Sequence, residues 1–347
     1  MNTRLSERKE TILQLIVNSF IQYPEPVGSK TLLQRSGLGV SPATIRSEMN
    51  ELERLHYITH PHTSAGRLPT DKGYRYYVDH LLGQETSETE KIQARITALK
   101  HKIKSIDEFF STVSNLISDF TSQVGVIVFP VLDELNFRYA NLIYLSENKV
   151  LVVWATMSGL IKEQIVHLDK AVDPELLQHI ANFMNQEFFG MPFHAIKAHM
   201  AKRISELERS YNKLATIADQ IVSESIAARQ ERKVWIDGMS HIFAEPEFQE
   251  ITTIKPLLEA FDQRERIAKV FEHDRTVDGI TTTIGEENDT AEFKSCAIVR
   301  RNFYITDSLC GTLSVLGPRR MDYAKIFTAV EFVSGFVSNV FKEEKLF

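Results

Sequence analysis

Apolar residues recur at helical spacing through the first third of the chain. Ile12, Leu13, Ile16 and Phe20 line one side of a helix predicted over about Ser6–Gln22, which Pro24 and Pro26 end. A short helix follows at about Lys30–Arg35, with Ser29 as its cap and Leu32 and Leu33 as its buried side. Ser41-Pro42 then gives a strong start signal, an N-cap oxygen followed by proline at the first helical position, for a third helix reaching about Leu55. Ile45, Met49 and Leu52 form its core side. Ala43, Ser47, Asn50 and Arg54 lie near the opposite side, flanked by Arg46. Alternation at Tyr57–His60 and Arg67–Thr70 predicts two strands around a Pro61–Gly66 turn, and Thr70 or Asp71 caps a fourth helix. Three helices followed by a β-hairpin make a winged helix-turn-helix.

Beyond it, apolar residues from Ile92 to Phe120 keep alternating gaps of four and three, which predicts a long helix over about 87–120. That seam fits either a coiled coil between subunits or a helix packed along its own domain. Val124–Phe129 reads as a buried strand, and Tyr139–Leu145, Lys149–Ala155 and Leu160–His167 as a meander. Helices are expected at Pro174–Phe188, at about 198–233 and around Lys255–Glu272. The last 70 or so residues return to three antiparallel strands and a closing helix from Met321 to Lys342. The expected class is α+β, with the strand-rich final part completing a domain that a middle segment interrupts.

Composition bounds the function. Apolar residues are 43% and charged residues 25% of the 347, as in a folded soluble protein. No apolar stretch approaches the ~20 residues of a membrane span, and the charged N-terminus has no secretory pattern, so a cytoplasmic location without membrane contact is expected. The two cysteines, Cys296 and Cys310, sit in apolar runs and read as buried thiols. The net charge of −6 argues against a basic coat for nucleic acid. Its distribution changes that reading. Residues 1–83 hold ten lysines and arginines against eight acids, the remainder 30 against 38. Arg54–Thr70 contains no acid at all but carries Arg54, Arg67, His56, His60 and His62.

No Gly-rich phosphate loop, HExxH or GxSxG motif occurs, so no enzyme is expected. With no cysteine nearby and no acid between Arg54 and Thr70, the hairpin histidines read as structural or phosphate-contacting groups; no metal or cofactor is expected. The third helix suits a major groove. Ser41, Ala43, Thr44, Arg46, Ser47 and Asn50 are the candidate DNA-facing residues, Arg46 for guanine and Asn50 for adenine by side-chain chemistry. Arg54, His62, Arg67, Lys72 and Arg75 are assigned mainly to phosphates. Ile204, Leu207, Tyr211, Leu214 and Ile221, again at three-four spacing, are the candidate dimer surface.

Ser41–Met49, the stretch Pro61-His62-Thr63-Ser64-Ala65-Gly66-Arg67-Leu68-Pro69-Thr70-Asp71-Lys72-Gly73-Tyr74-Arg75-Tyr76-Tyr77-Val78-Asp79, and Gly317–Tyr323 closely resemble the HrcA family of bacterial heat-inducible transcription repressors. The resemblance implies a winged-helix domain (1–83), a discontinuous GAF-like domain (84–135 and 236–347) and an inserted dimerising domain (136–235). It also implies a homodimer on an inverted-repeat operator, the CIRCE element, upstream of chaperone operons, kept active by the chaperonin GroEL. The alternative is a ligand-responsive winged-helix regulator whose second domain senses a metabolite.

Overall fold

The computed structural model describes residues 5–36, 39–61, 66–81, 88–99, 105–130, 134–206, 212–227, 232–274, 276–306 and 309–342. Helices α1 (Glu7–Gln22), α2 (Ser29–Ser36) and α3 (Pro42–Arg54) pack around Ile12, Leu13, Ile16, Leu32, Ile45, Met49 and Leu52, all buried. The periodicity of these positions is what brings the three helices to one core. Strands β1 (Ile58–Thr59) and β2 (Leu68–Pro69) pair antiparallel, Ile58 opposite Pro69. Val27, between α1 and α2, bridges Arg67 and adds a one-residue third strand that the sequence pattern does not announce. Helix α4 (Asp71–Leu81) sits so close to β1 that a Cβ on Gly73 would lie 2.2 Å from the Tyr57 carbonyl oxygen. Only glycine fits there.

The helix expected over 87–120 is two helices, α5 (Thr89–Leu99) and α6 (Ile106–Thr121). Ser105 is extended and its hydroxyl accepts from the Glu108 amide at 3.2 Å, so a new N-cap starts α6. Ile92, Ile96, Phe110, Val113, Ile117 and Phe120 are buried within the chain, and both helices pack on α13 (Tyr323–Lys342). Of the two readings of the heptad seam, the structure takes the second: the seam lines its own domain.

The larger sheet joins β3 (Val124–Val128), β7 (Val234–Asp237), β8 (Ile280–Ile284), β9 (Cys296–Tyr304) and β10 (Cys310–Pro318) in the order β7-β3-β10-β9-β8, antiparallel throughout. The chain leaves this sheet at β3 and rejoins beside it at β7, Val128 opposite Val234. Helices α6 and α13 cover one face. On the other, Val124, Val126, Ile298 and Leu316 share a core with Ile242 of α10 (Met239–Ala244), Leu257 of α11 (Ile251–Phe261) and Ile267 and Phe271 of α12 (Arg264–Phe271). Helix α13 is long and apolar enough to cross a membrane, but more than half of that window is buried against the sheet and its neighbours. Cys296 and Cys310 are buried free thiols, as expected, and burial pushes the Cys296 thiol up to about 12.

Between β3 and β7 lies a second sheet, β4 (Phe137–Ser146), β5 (Lys149–Thr156) and β6 (Ile161–His167), in the order β4-β5-β6, with α7 (Pro174–Phe188), α8 (Phe193–Glu206) and α9 (Asn212–Ala227). The single helix expected over 198–233 is thus α8 and α9, which pack on each other, followed by strand β7. Ala140, Leu142, Val150, Val152, Trp154 and Val166 point inward from the three strands and are buried.

Candidate nucleic-acid interface

Helix α3 begins with a formed cap. Ser41 is extended, its hydroxyl accepts from the Thr44 amide at 3.1 Å, and it lies 2.9 Å from the Thr44 hydroxyl. The helix ends in a Schellman arrangement: the Tyr57 amide donates to the Leu52 carbonyl at 3.0 Å and the His56 amide to that of Glu53 at 2.9 Å. His56 occupies the left-handed position, φ 62°, where glycine is usual. Thr70 and Lys72 finish this end, the hydroxyl donating to the His56 carbonyl at 2.7 Å and the ammonium to the Leu55 carbonyl at 2.8 Å. A cation at a helix C-terminus is favourably placed against the dipole. The same ammonium stands 4.3 Å from the Tyr57 ring centre. Lys72, expected at phosphates, therefore caps α3.

Burial of Ile45, Met49 and Leu52 turns Ala43, Arg46, Ser47, Asn50 and Arg54 outward, all exposed, with Thr44 half-buried at the first turn. Arg46 has no hydrogen bond or ion pair among the described residues. The acids beside this face are neutralised from neighbouring elements. Glu48 pairs with Arg8 and Lys9, Glu51 with Lys9 (2.9 Å) and Arg54, and Glu53 with Arg67 (2.8 Å) and His60. The hydrogen bond to Lys9 holds the Glu51 carboxyl below its usual range. The outer face is short, small and polar, with one uncommitted guanidinium, and its carboxylates do not stand alone against an approaching phosphate.

Arg67 ties the hairpin to α3. Its guanidinium donates to Asn50 Oδ1 at 3.2 Å as well as pairing with Glu53, and its backbone exchanges two hydrogen bonds of 2.9 Å with Val27. His62, at the hairpin tip, lies outside the described residues. Arg75 points away from α3. Its Nε donates to Glu287 at 2.9 Å, its Nη2 to the Thr282 carbonyl at 2.6 Å and again to Glu287, and its Nη1 to Asp79 at 3.3 Å. Bonding to Glu287 raises the Arg75 pKa above its ordinary value. Beside it, Arg319 pairs with Asp71 at 2.8 Å, and Asp71 accepts from the Glu286 amide at 3.1 Å. These contacts fasten α4 to β8 and the loop after it. Glu287, Asp71 and Arg319 as fasteners were not foreseen, although Arg319 stands in the Gly317–Tyr323 motif.

Of the expected dimer residues, Ile221 is fully buried in its own chain, on the helix that packs against α7 and β6, so it is a core residue here. Leu207 and Tyr211 lie outside the described residues, and the side chains of Ile204 and Leu214 are likewise not described. The unpartnered apolar face is elsewhere. On the outer side of the second sheet, Tyr139, Ala155 and Ile161 are in register, as are Ile143, Leu151 and Ile165. Tyr139 is 50%, Ile143 41%, Ile161 57% and Ile165 53% exposed. The signal was present in the sequence: β4 and β5 carry apolar residues at both parities, and Ile161 and Ile165 of β6 share one parity, so burying one face leaves apolar residues on the other.

The family model and the curated relatives agree on one family. The description "HrcA protein C terminal domain" matches residues 107–327. A heat-inducible transcription repressor HrcA of Desulforamulus reducens is 30% identical over 332 residues, 95% of each chain. Its counterpart in Acetivibrio thermocellus is 32% identical over 330 residues, 95% of this chain and 94% of the relative. A crystal structure described as a hypothetical protein at 2.2 Å resolution matches 99% of this chain and 100% of its own with a TM-score of 0.67 at 22% identity, which shows a shared fold. The family match over residues 107–327 and the named relatives' agreement over nearly the whole length show that the chain belongs to the HrcA family, a family of transcription repressors and not a class of enzymes.

Proposed function

We propose that this chain is a heat-inducible repressor that binds, as a homodimer, an inverted-repeat operator of the CIRCE type upstream of chaperone genes, with the chaperonin GroEL supporting its active form. The observation that carries the DNA-binding reading is the capped helix α3 with Ala43, Arg46, Ser47 and Asn50 exposed on one side and the hairpin pinned beside it by Arg67. In this reading residues 1–83 are a winged helix-turn-helix and α3 enters the major groove. Arg46 reads guanine, Asn50 adenine, and Arg54 with His62 meets phosphate. Asn50 keeps its amide nitrogen for a base while its oxygen holds Arg67. Lys72 and Arg75 act by positioning, one as the cap of α3 and the other as the fastener of α4.

The remainder divides into a GAF-like domain, 84–135 with 236–347, and an inserted segment, 136–235, boundaries that the adjacency of β3 and β7 supports. The outer face of β4-β5-β6 is the surface that a second copy covers, since an apolar patch of this kind on a free surface marks an interaction site. Two-fold symmetry of the protein then matches that of the operator.

Operator point variants test the reading. Arg46→Ala is expected to lose about 1–3 kcal/mol on the native operator and little on operators already altered at the base pair it reads. An equal loss on every operator removes Arg46 from base readout.

A further inference from the structure

The face of the large sheet turned toward α12 is apolar at one end and polar at the other. The polar end gathers Arg300, Asn302, Thr312, Ser314 and, from the segment after α12, His273, all buried. A cavity of about 460 Å³ opens there, lined by Arg300, His273, Thr281, Thr283 and Asn288, with Lys269, Glu272, Glu287 and Asp289 around it. That is within the roughly 300–1,000 Å³ of small-molecule pockets and far above the ~30 Å³ share of one water.

Beside this cavity two buried nitrogens, Arg300 Nε and His273 Nε2, have no hydrogen-bond partner among the described residues. Arg300 is only 9% exposed; its Nη1 donates to Thr283 at 2.9 Å and its Nη2 to the Val270 carbonyl at 3.0 Å. Among the described residues no carboxylate lies within ion-pair range of it; Asp289 acts on it only at longer range. A buried cation without an anion is costly, and native structures pair such charges. Burial lowers the Arg300 pKa to about 10, which leaves the group charged at neutral pH. Burial, aided by the Arg300 charge, lowers that of His273. Thr281 Oγ1 lies 3.3 Å from His273 Nδ1. With the hydroxyl donating there, the neutral ring carries its proton on Nε2 and becomes a second donor.

We propose that this cavity is a binding site for a small metabolite bearing a carboxylate, which supplies the anion that the Arg300 guanidinium lacks. Thr281, Thr283 and Asn288 meet the polar remainder of the ligand, and Lys269 stands at the mouth. Glu272 and Glu287 are neutralised by Arg232 and Arg75, but Asp289 makes no ion pair among the described residues. Such a rim favours a carboxylate over a doubly charged phosphate. The site stands independently of the operator reading.

The test is differential scanning fluorimetry and isothermal titration of the full-length protein with lactate, malate, 2-oxoglutarate, citrate and inorganic phosphate. At least one carboxylate is expected to raise the melting temperature in a dose-dependent way. Lys269→Glu, at an exposed position without a partner among the described residues, is expected to weaken that binding about fivefold or more with an unchanged melting temperature in the absence of ligand. Arg300→Gln is expected to abolish it. Should Arg300→Gln fail to fold, Lys269→Glu still decides. Absence of binding by every carboxylate, binding by phosphate alone, or binding unaffected by Lys269→Glu overturns the proposal.

Discussion

Arg75 separates two roles that a basic residue beside a DNA-reading helix can play. In the structure its guanidinium takes Glu287 with two nitrogens and the Thr282 carbonyl with one. Hydrogen bonds to charged groups contribute about 1.5–3 kcal/mol each when sheltered. Here the Arg75 side chain is 29% and that of Glu287 38% exposed, so solvent screening reduces the pair to about 1–2 kcal/mol in total. Arg75→Gln and Glu287→Gln should therefore each lower the opening free energy of α4 from the body by that amount. The double variant should lose little more than either single one, because the same contact is removed. Hydrogen exchange of α4 amides reads this as a fall in protection of roughly tenfold. Operator binding supplies the second readout. A positioning arginine leaves the salt dependence of affinity unchanged on replacement, whereas a phosphate contact reduces its slope by about one unit. The reasoning is refuted if Arg75→Gln flattens the salt slope while Glu287→Gln tightens operator binding, since Arg75 would then be leaving Glu287 for DNA.

Ile165→Glu, which places a charge in the exposed row Ile143-Leu151-Ile165, should shift the full-length protein from dimer to monomer in light scattering while its circular dichroism stays unchanged; a persistent dimer moves the interface elsewhere. His56→Gly should stabilise the N-terminal domain by about 1 kcal/mol in thermal unfolding, because the left-handed conformation at φ 62° strains a side chain and not glycine; a loss of stability would show that the exposed imidazole makes a compensating contact. Cys296, with its thiol pushed up to about 12, and the buried Cys310 should resist iodoacetamide at pH 8 until the chain unfolds; labelling in the native state would place a thiol at the surface.

The elements that a single local signal marks were legible in the sequence. Ser41-Pro42 starts α3 where expected, and Asp173-Pro174 starts α7 the same way, with the Asp173 carboxylate accepting from the Leu176 amide at 2.7 Å. The breaks inside long periodic stretches were not. Leu99, Ile103 and Ile106 keep the three-four rhythm across the gap between α5 and α6, so periodicity runs on in phase, and one serine cap is what restarts the helix. Strand β7 is four residues long and owes its existence to pairing with β3. At the candidate interface, the exposed side of α3 followed directly from the burial of Ile45, Met49 and Leu52. The roles of Lys72 and Arg75 did not follow. A guanidinium suits a carboxylate as well as a phosphate, and the carboxylate that takes Arg75 stands 212 residues further along the chain.

The pairing pattern explains how an acidic chain can hold a DNA reader. Most cations of the first 83 residues that the structure describes are spent within the protein: Arg8 and Lys9 on Glu48, Lys9 on Glu51, Arg67 on Glu53 and Asn50, Lys72 on a helix end, Arg75 on Glu287. Arg46 is the exposed cation of α3 without a partner among the described residues. Affinity for arbitrary DNA grows with the number of phosphates that free cations neutralise, so one such reader on a net-negative body gains little from sequence-independent attraction. On the proposed reading, what remains is direct readout by a short polar helix face, at about 1–3 kcal/mol per well-read base pair. A single half-site of that kind is weak. In the proposed dimer, two copies joined through the outer face of β4-β5-β6 would engage the second half-site at high effective concentration, and their affinities would multiply. On that proposal, internal neutralisation of the basic residues makes occupancy depend on an inverted repeat and on an intact dimer, and an agent that dissociates or unfolds the dimer would control repression directly.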